Sequence, residues 1–98
     1  MKFAIVTGNV VCTRKDEKIS GTKLLLVQPV DDNMKDDGSA LVAIDSVGAG
    51  EGELVLIVTG SSSRMTEVTE DRPVDCTIMG IVDYVEKNGS IIFDKNKQ

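Results

Sequence analysis

Leu54-Val55-Leu56-Ile57-Val58 is an unbroken apolar run that begins after Glu53 and is closed off by Gly60. It is too short for an amphipathic helix, rich in β-branched residues and bounded by a turn former, so it reads as a strand. Successive strand side chains point to opposite faces, which makes this strand apolar on both. Leu24-Leu25-Leu26-Val27, ending at Pro29, has the same property. So does the segment 3–12, which sets Ala4, Val6, Val10 and Cys12 on one face and Phe3, Ile5 and Val11 on the other. A sheet covered on one side only would alternate apolar and polar residues.

The other apolar runs are just as short. Leu41-Val42-Ala43-Ile44 ends at Asp45, and the segments 78–85 and 91–93 flank Asn88-Gly89. A type I′ turn needs positive φ at both central residues, and Asn-Gly supplies it at least cost, so 81–87 and 90–94 are expected to form a hairpin. Ser61 or Ser62 is placed to cap one helical turn running towards Met65. Residues 14–21 and 31–38 are charged loops. The expected architecture is all-β in a single domain, 1–98. Few residues remain to build helices that would cover a second strand face. The inferred cover is a copy of the chain, on a small closed or nearly closed β-barrel that self-associates. A two-sheet sandwich with a loop over its outer face fits the pattern equally.

Composition excludes several functions. The 98 residues contain no His and no Trp, 3% aromatics, 11 Lys+Arg against 16 Asp+Glu, and two Cys. Without His there is no His-assisted nucleophile and no histidine metal site. Two thiols cannot complete a four-thiolate zinc or iron–sulfur site within the chain. A net charge of -5 lacks the basic footprint of nucleic-acid binding, and the scarce aromatics give no stacking platform. No run approaches a membrane span, and the apolar N-terminal run is too short for a signal-peptide core. The expectation is a cytoplasmic protein with reduced thiols, no cofactor, and neither nucleic acid nor membrane as partner. Cys12 and Cys76 lie beside apolar neighbours and read as buried, inert thiols.

The candidate chemistry is thin. Gly48-Ala49-Gly50-Glu51-Gly52-Glu53 has the glycines of a phosphate loop. However, no Lys-Ser or Lys-Thr follows, a strand rather than a helix comes next, and two glutamates would repel an anion. A tight connection between strands explains it better, as does a loop aimed at a neighbouring subunit or an assembly axis. In 31–38, taking Gly38 as the sixth position of a calcium loop would put Lys35 and Ile44 on ligand positions, so a solvated loop is the reading. Asn88-Gly89-Ser90 would be a glycosylation acceptor only in a secreted chain. Asp45, Asp75 and Asp83 interrupt apolar segments, and Arg64 is a natural partner for one of them. Their reading as hydrogen-bonded corners or interface residues is favoured over a catalytic acid, because nothing supplies a nucleophile or base.

Several strings together resemble the EutN/CcmL-type vertex proteins of bacterial microcompartments. Met1-Lys2-Phe3 through Gly8-Asn9-Val10-Val11, then Thr13-Arg14-Lys15, is similar to their opening, and Gly21 to Pro29 to their second segment. Leu41 to Glu53 is similar to their most distinctive stretch. Gly60-Ser61-Ser62-Ser63-Arg64, Pro73-Val74-Asp75-Cys76 and Gly80-Ile81-Val82-Asp83 follow in order. Cys76 departs by standing where a small residue such as Ala is usual. The resemblance implies a structural protein rather than an enzyme. It would have an OB-like five-stranded β-barrel with a short helical turn and a C-terminal hairpin, assembled into homopentamers that cap shell vertices beside hexameric shell proteins. It also implies a subunit interface ordered by Arg64, Asp75 and Asp83. Gly48, Ala49, Gly50, Glu51 and Glu53 would form an axial loop with a ring of acids, and Arg14 and Lys15 would face neighbouring shell proteins. Outside that class, the residues also suit a homo-oligomeric OB-type ligand-binding module without catalysis or, more weakly, a small acid–base enzyme using Asp45, Asp75 or Asp83.

Overall fold

The structure, a computed structural model, describes residues 1–72 and 74–97; Pro73 of the Pro73–Cys76 string and Gln98 of the tail lie outside the described residues. Seven strands form: β1 (Lys2–Val10), β2 (Leu24–Val30), β3 (Leu41–Asp45), β4 (Leu54–Thr59), β5 (Cys76–Ile81), β6 (Tyr84–Lys87) and β7 (Ser90–Asp94). The first five close into a barrel in the order β1-β2-β3-β5-β4, and β6 and β7 form the separate hairpin. Every barrel pairing is antiparallel except β3–β5, which is parallel and spans only Ile44↔Thr77 and Asp45↔Ile78. Among the described residues the helical structure is limited to 3-10 turns at Glu17–Ile19, Gly60–Arg64 and Lys95–Lys97.

The barrel explains the inner strand faces. Ala4 and Val6 from β1, Leu25 and Val27 from β2, Ala43 from β3, Val55 and Ile57 from β4 and Ile78 from β5 form one buried cluster. Side chains therefore fill the interior, as in small barrels generally, and the reading as a ligand-binding barrel loses its lumen. The β1–β2 register shifts between Val6 and Gly8. That bulge breaks the strict alternation expected for 3–12, and β1 ends at Val10 with Val11 and Cys12 exposed.

The outer face is divided between two covers. Leu54 and Val30 are buried under Phe93, with Phe3, Ile5, Val82 and Val85 packed around them. Part of the outer apolar surface is thus covered by the chain's own hairpin, not by a copy as the sequence suggested. Asn88 (φ 52°) and Gly89 (φ 81°) form the expected turn. The hairpin is shorter than expected, because Ile81 stays in β5 paired with Val55 and the hairpin begins at Tyr84. An ion pair between Lys87 and Asp32 ties it to the acidic loop. That contact holds the Asp32 carboxyl below its usual range and raises Lys87.

Candidate functional site

Three groups of residues stand out once the barrel is built. The first is the glycine-rich loop. Asp45 ends β3, and its side chain is only 2% exposed. Its carboxylate accepts from the N–H groups of Val47 (3.0 Å), Gly48 (3.1 Å) and Ala49 (2.9 Å). The cation near it is Lys23, 3.8 Å away, which donates to the Ala49 carbonyl at 2.9 Å. Arg64, the partner suggested by sequence, instead reaches the Val74 carbonyl at 3.3 Å. With three donors on one carboxylate, Asp45 is a loop anchor and not a free acid.

Gly48 (φ 80°) and Gly52 (φ 85°) take the left-handed conformation that a side chain would resist. Gly52 N–H donates to Val6 O and Val6 N–H to Glu53 O, so the loop is stitched to β1. Glu53 turns inward: its carboxylate accepts from Gly50 N–H at 2.7 Å and pairs with Lys95 at 2.8 Å. The Lys95 hydrogen bond, followed by the Gly50 amide, lowers the Glu53 pKa, and Glu53 in turn raises that of Lys95. Of the two acids expected to face an axis, Glu51 is exposed and Glu53 is half-buried. The C-terminal turn Lys95–Lys97 supplies the lysine that holds this loop.

The second group is the corner after β4. Gly60–Arg64 forms the expected turn, but Thr59 precedes it and makes no side-chain cap, so neither Ser61 nor Ser62 is the cap residue. Ser63 is buried, with its hydroxyl 2.6 Å from the Gly60 carbonyl and 2.9 Å from that of Val74; its single proton serves one at a time. Thr77, also buried, donates to Ser63 O at 2.6 Å. These bonds fix the backbone that carries Arg64, whose side chain is exposed. Lys18, Arg64, Asp71 and Arg72 line one cleft, and Arg72 donates to the Lys18 carbonyl at 2.6 Å. The sequence gives no sign of this cluster, because Lys18 and Arg72 lie 54 positions apart.

The third group is the β3–β5 seam. A cavity of about 220 Å³ opens over it, lined by Ile19, Leu24, Val42, Ile44, Val74 and Cys76, with Asp75 in its wall. Burial pushes the Cys76 thiol up to about 11, with Asp75 adding to the rise. Cys76 matches the expected inert thiol, whereas Cys12 is exposed. Asp75 is exposed, and its carbonyl accepts from Gly60 N–H. Asp83 lies far along the chain at the root of the hairpin, with its carbonyl accepting from Lys95 N–H. Arg14 and Lys15 are exposed in the loop after β1, and Lys15 reaches the Thr22 carbonyl at 3.4 Å.

Among the described residues the geometry offers a fixed loop and two surfaces, and no acid–base pair. A family model described as ethanolamine utilisation protein EutN/carboxysome matches residues 1–83. The chain belongs to the EutN/CcmL family. It is 47% identical over 95 residues to the bacterial microcompartment shell vertex protein EutN of Escherichia coli K12, covering 97% of this chain and 100% of that protein. The solved structure of CcmL from Nostoc sp. PCC 7120 superposes with a TM-score of 0.91 at 43% identity, covering 97% of this chain and 100% of that one. The pentameric microcompartment shell protein GrpN from Rhodospirillum rubrum superposes with a TM-score of 0.80 at 44% identity, covering 89% and 99%. The family is one of structural shell vertex proteins, not enzymes, in keeping with Asp45 acting as a loop anchor.

Proposed function

We propose that five copies of this chain form a ring that caps a vertex of a bacterial microcompartment shell in the cytoplasm, with hexameric shell proteins as its neighbours. The observation that carries this reading is near full-length identity of 47% to a named shell vertex protein, joined to the structural likeness to a pentameric shell protein. In the ring, the Gly48–Ala49–Gly50–Glu51–Gly52–Glu53 loop faces the fivefold axis. Glu51, rather than Glu53, supplies the acid there, because Glu53 is held by Lys95 within its own subunit. Arg14 and Lys15, on an exposed loop, meet acidic edges of neighbouring shell proteins. Arg64, Asp75 and Asp83 belong to contacts between copies.

Co-expression with shell hexamers tests this. Shells made with the wild-type chain should close as polyhedra, and shells made without it should remain open or elongated. Reversing the charges of Arg14 and Lys15 should leave a pentamer that no longer incorporates; closed shells with that variant would refute the contact. A pentamer structure with Glu51 distant from the axis would refute the loop assignment.

A further inference from the structure

The C-terminal hairpin is seated on the barrel by few ties. β6 and β7 pair only with each other. Among the described residues, no backbone hydrogen bond runs from 84–97 to the barrel. Val82 N–H donates to Leu54 O at 2.9 Å just before the hairpin, and Lys95 N–H turns back to Asp83 O at the hairpin's own root. Phe93 and its cross-strand partner Val85 are the apolar side chains that seat it. One flank is open: a cavity of about 330 Å³ is lined by Met34 of the acidic loop and by Ile91, Ile92 and Phe93 of β7. Two ion pairs complete the seating, Lys87 with Asp32 and Lys95 with Glu53, and their lysine side chains are 49% and 43% exposed. Pairs this exposed contribute little, and a two-stranded hairpin by itself is marginal in water.

One of these ties reaches the glycine-rich loop. Lys95 Nζ meets Glu53 Oε2 at 2.8 Å, while Glu53 Oε1 accepts from Gly50 N–H at 2.7 Å. A single carboxylate is therefore shared between the end of the hairpin and the loop. The preceding half of the loop is held from elsewhere. Val47, Gly48 and Ala49 donate to Asp45 at the end of β3, whose cation is Lys23, just ahead of β2. Ala49 and Gly50 are thus neighbours in sequence whose amides answer to different elements, one to the barrel and one to the hairpin.

We propose that the hairpin is a flap that opens as a unit while the barrel stays folded, and that its closure clamps the Gly50 end of the loop through Lys95 and Glu53. When it is closed, Phe93 lies over Leu54 and Val30, and Glu53 is held. When it opens, Phe3, Ile5, Val30 and Leu54 are uncovered together, and Glu53 is released as a second acid beside the exposed Glu51. Segments that share few buried contacts and no ladder with the rest of a fold are those that open below its global stability. Linkage makes the coupling reciprocal: weakening the seat of Phe93 loosens Gly50, and removing the Lys95 charge loosens the hairpin. The device lies within one chain and does not depend on the ring proposed above.

The test is amide hydrogen exchange, read residue by residue on the full chain near neutral pH. In the wild type the β6–β7 amides and Gly50 N–H should exchange through one opening, faster than the β4 amides. Phe93→Ala, which touches no loop residue, should speed the hairpin and Gly50 together by about tenfold or more and leave Ala49 and β4 unchanged. Lys95→Met should speed the hairpin by a smaller factor, and Lys95→Arg should restore the wild-type rates. Unchanged exchange at Gly50 in Phe93→Ala, or at the hairpin in Lys95→Met, overturns the clamp. A hairpin that exchanges at the rate of β4, or Ala49 and β4 quickening in step with Gly50, overturns the flap. If Phe93→Ala does not fold, Val85→Ala supplies the same comparison with a smaller change.

Discussion

Phe93 and Val42 both stand outside the barrel, yet one is 6% exposed and the other 49%. Phe93 is sealed because β7 folds back across β1 and β4 within the same chain. Val42 is left open beside the seam where β3 and β5 meet over only two residue pairs, with a cavity above it. An apolar outer face thus has two solutions in one molecule. The hairpin side is sealed within the chain, and the seam side stays open.

The largest expected effect belongs to the sealed side. Phe93→Ala should cost about 3 kcal/mol in urea unfolding of the single chain, because it opens a void over Leu54 and Val30. Val42→Ala should change that chain's stability by less than about 0.5 kcal/mol, as surface substitutions do. Equal losses at the two positions would erase the distinction. Next in size is Asp45→Ala, which deprives three loop amides of their acceptor and should cost about 2 kcal/mol. Glu51→Gln on the same loop should be neutral for stability.

These contrasts show what sequence alone can and cannot convey. The barrel strands were legible because their apolar runs are local, and the Asn88-Gly89 turn because positive φ is a local demand. The inner role of Val55 and Ile57 follows from alternation once a barrel is assumed. The division of the outer face was not legible, since it depends on where Phe93 lands after the hairpin folds back. The β1 bulge, which ends the alternation before Cys12, left no plain mark either. Asp45 reads as a corner residue and is one, but its cation is Lys23, which a β2–β3 pairing register brings near and linear spacing does not reveal. The basic cleft joins Lys18 to Arg72 only through the closed barrel.

A smaller effect separates the two cysteines. Exposed Cys12 should react with a maleimide at once in the folded protein, and Cys76, with its thiol pushed up to about 11, only on unfolding. Prompt labelling of both by mass spectrometry would show Cys76 to be less buried than described. The smallest effect is the acid response of the tail. Glu53 has a folded pKa below its unfolded one, so its stabilising contact is complete above the unfolded value and is lost as pH falls through the folded value. Lys95 is shifted upward, so its share is complete below the unfolded lysine value and is lost as pH rises through the folded one. Hydrogen exchange at Gly50 N–H should quicken at the acid end of that window. In Glu53→Gln, exchange at Gly50 should lose this carboxylate-linked acid step; an identical acid profile in the variant would contradict the assignment.

The central claim is that five copies of this chain form the vertex ring, and native mass spectrometry of the wild-type chain tests it most directly. The account predicts a particle of five 10.5 kDa chains. A monomer or a dimer would contradict it.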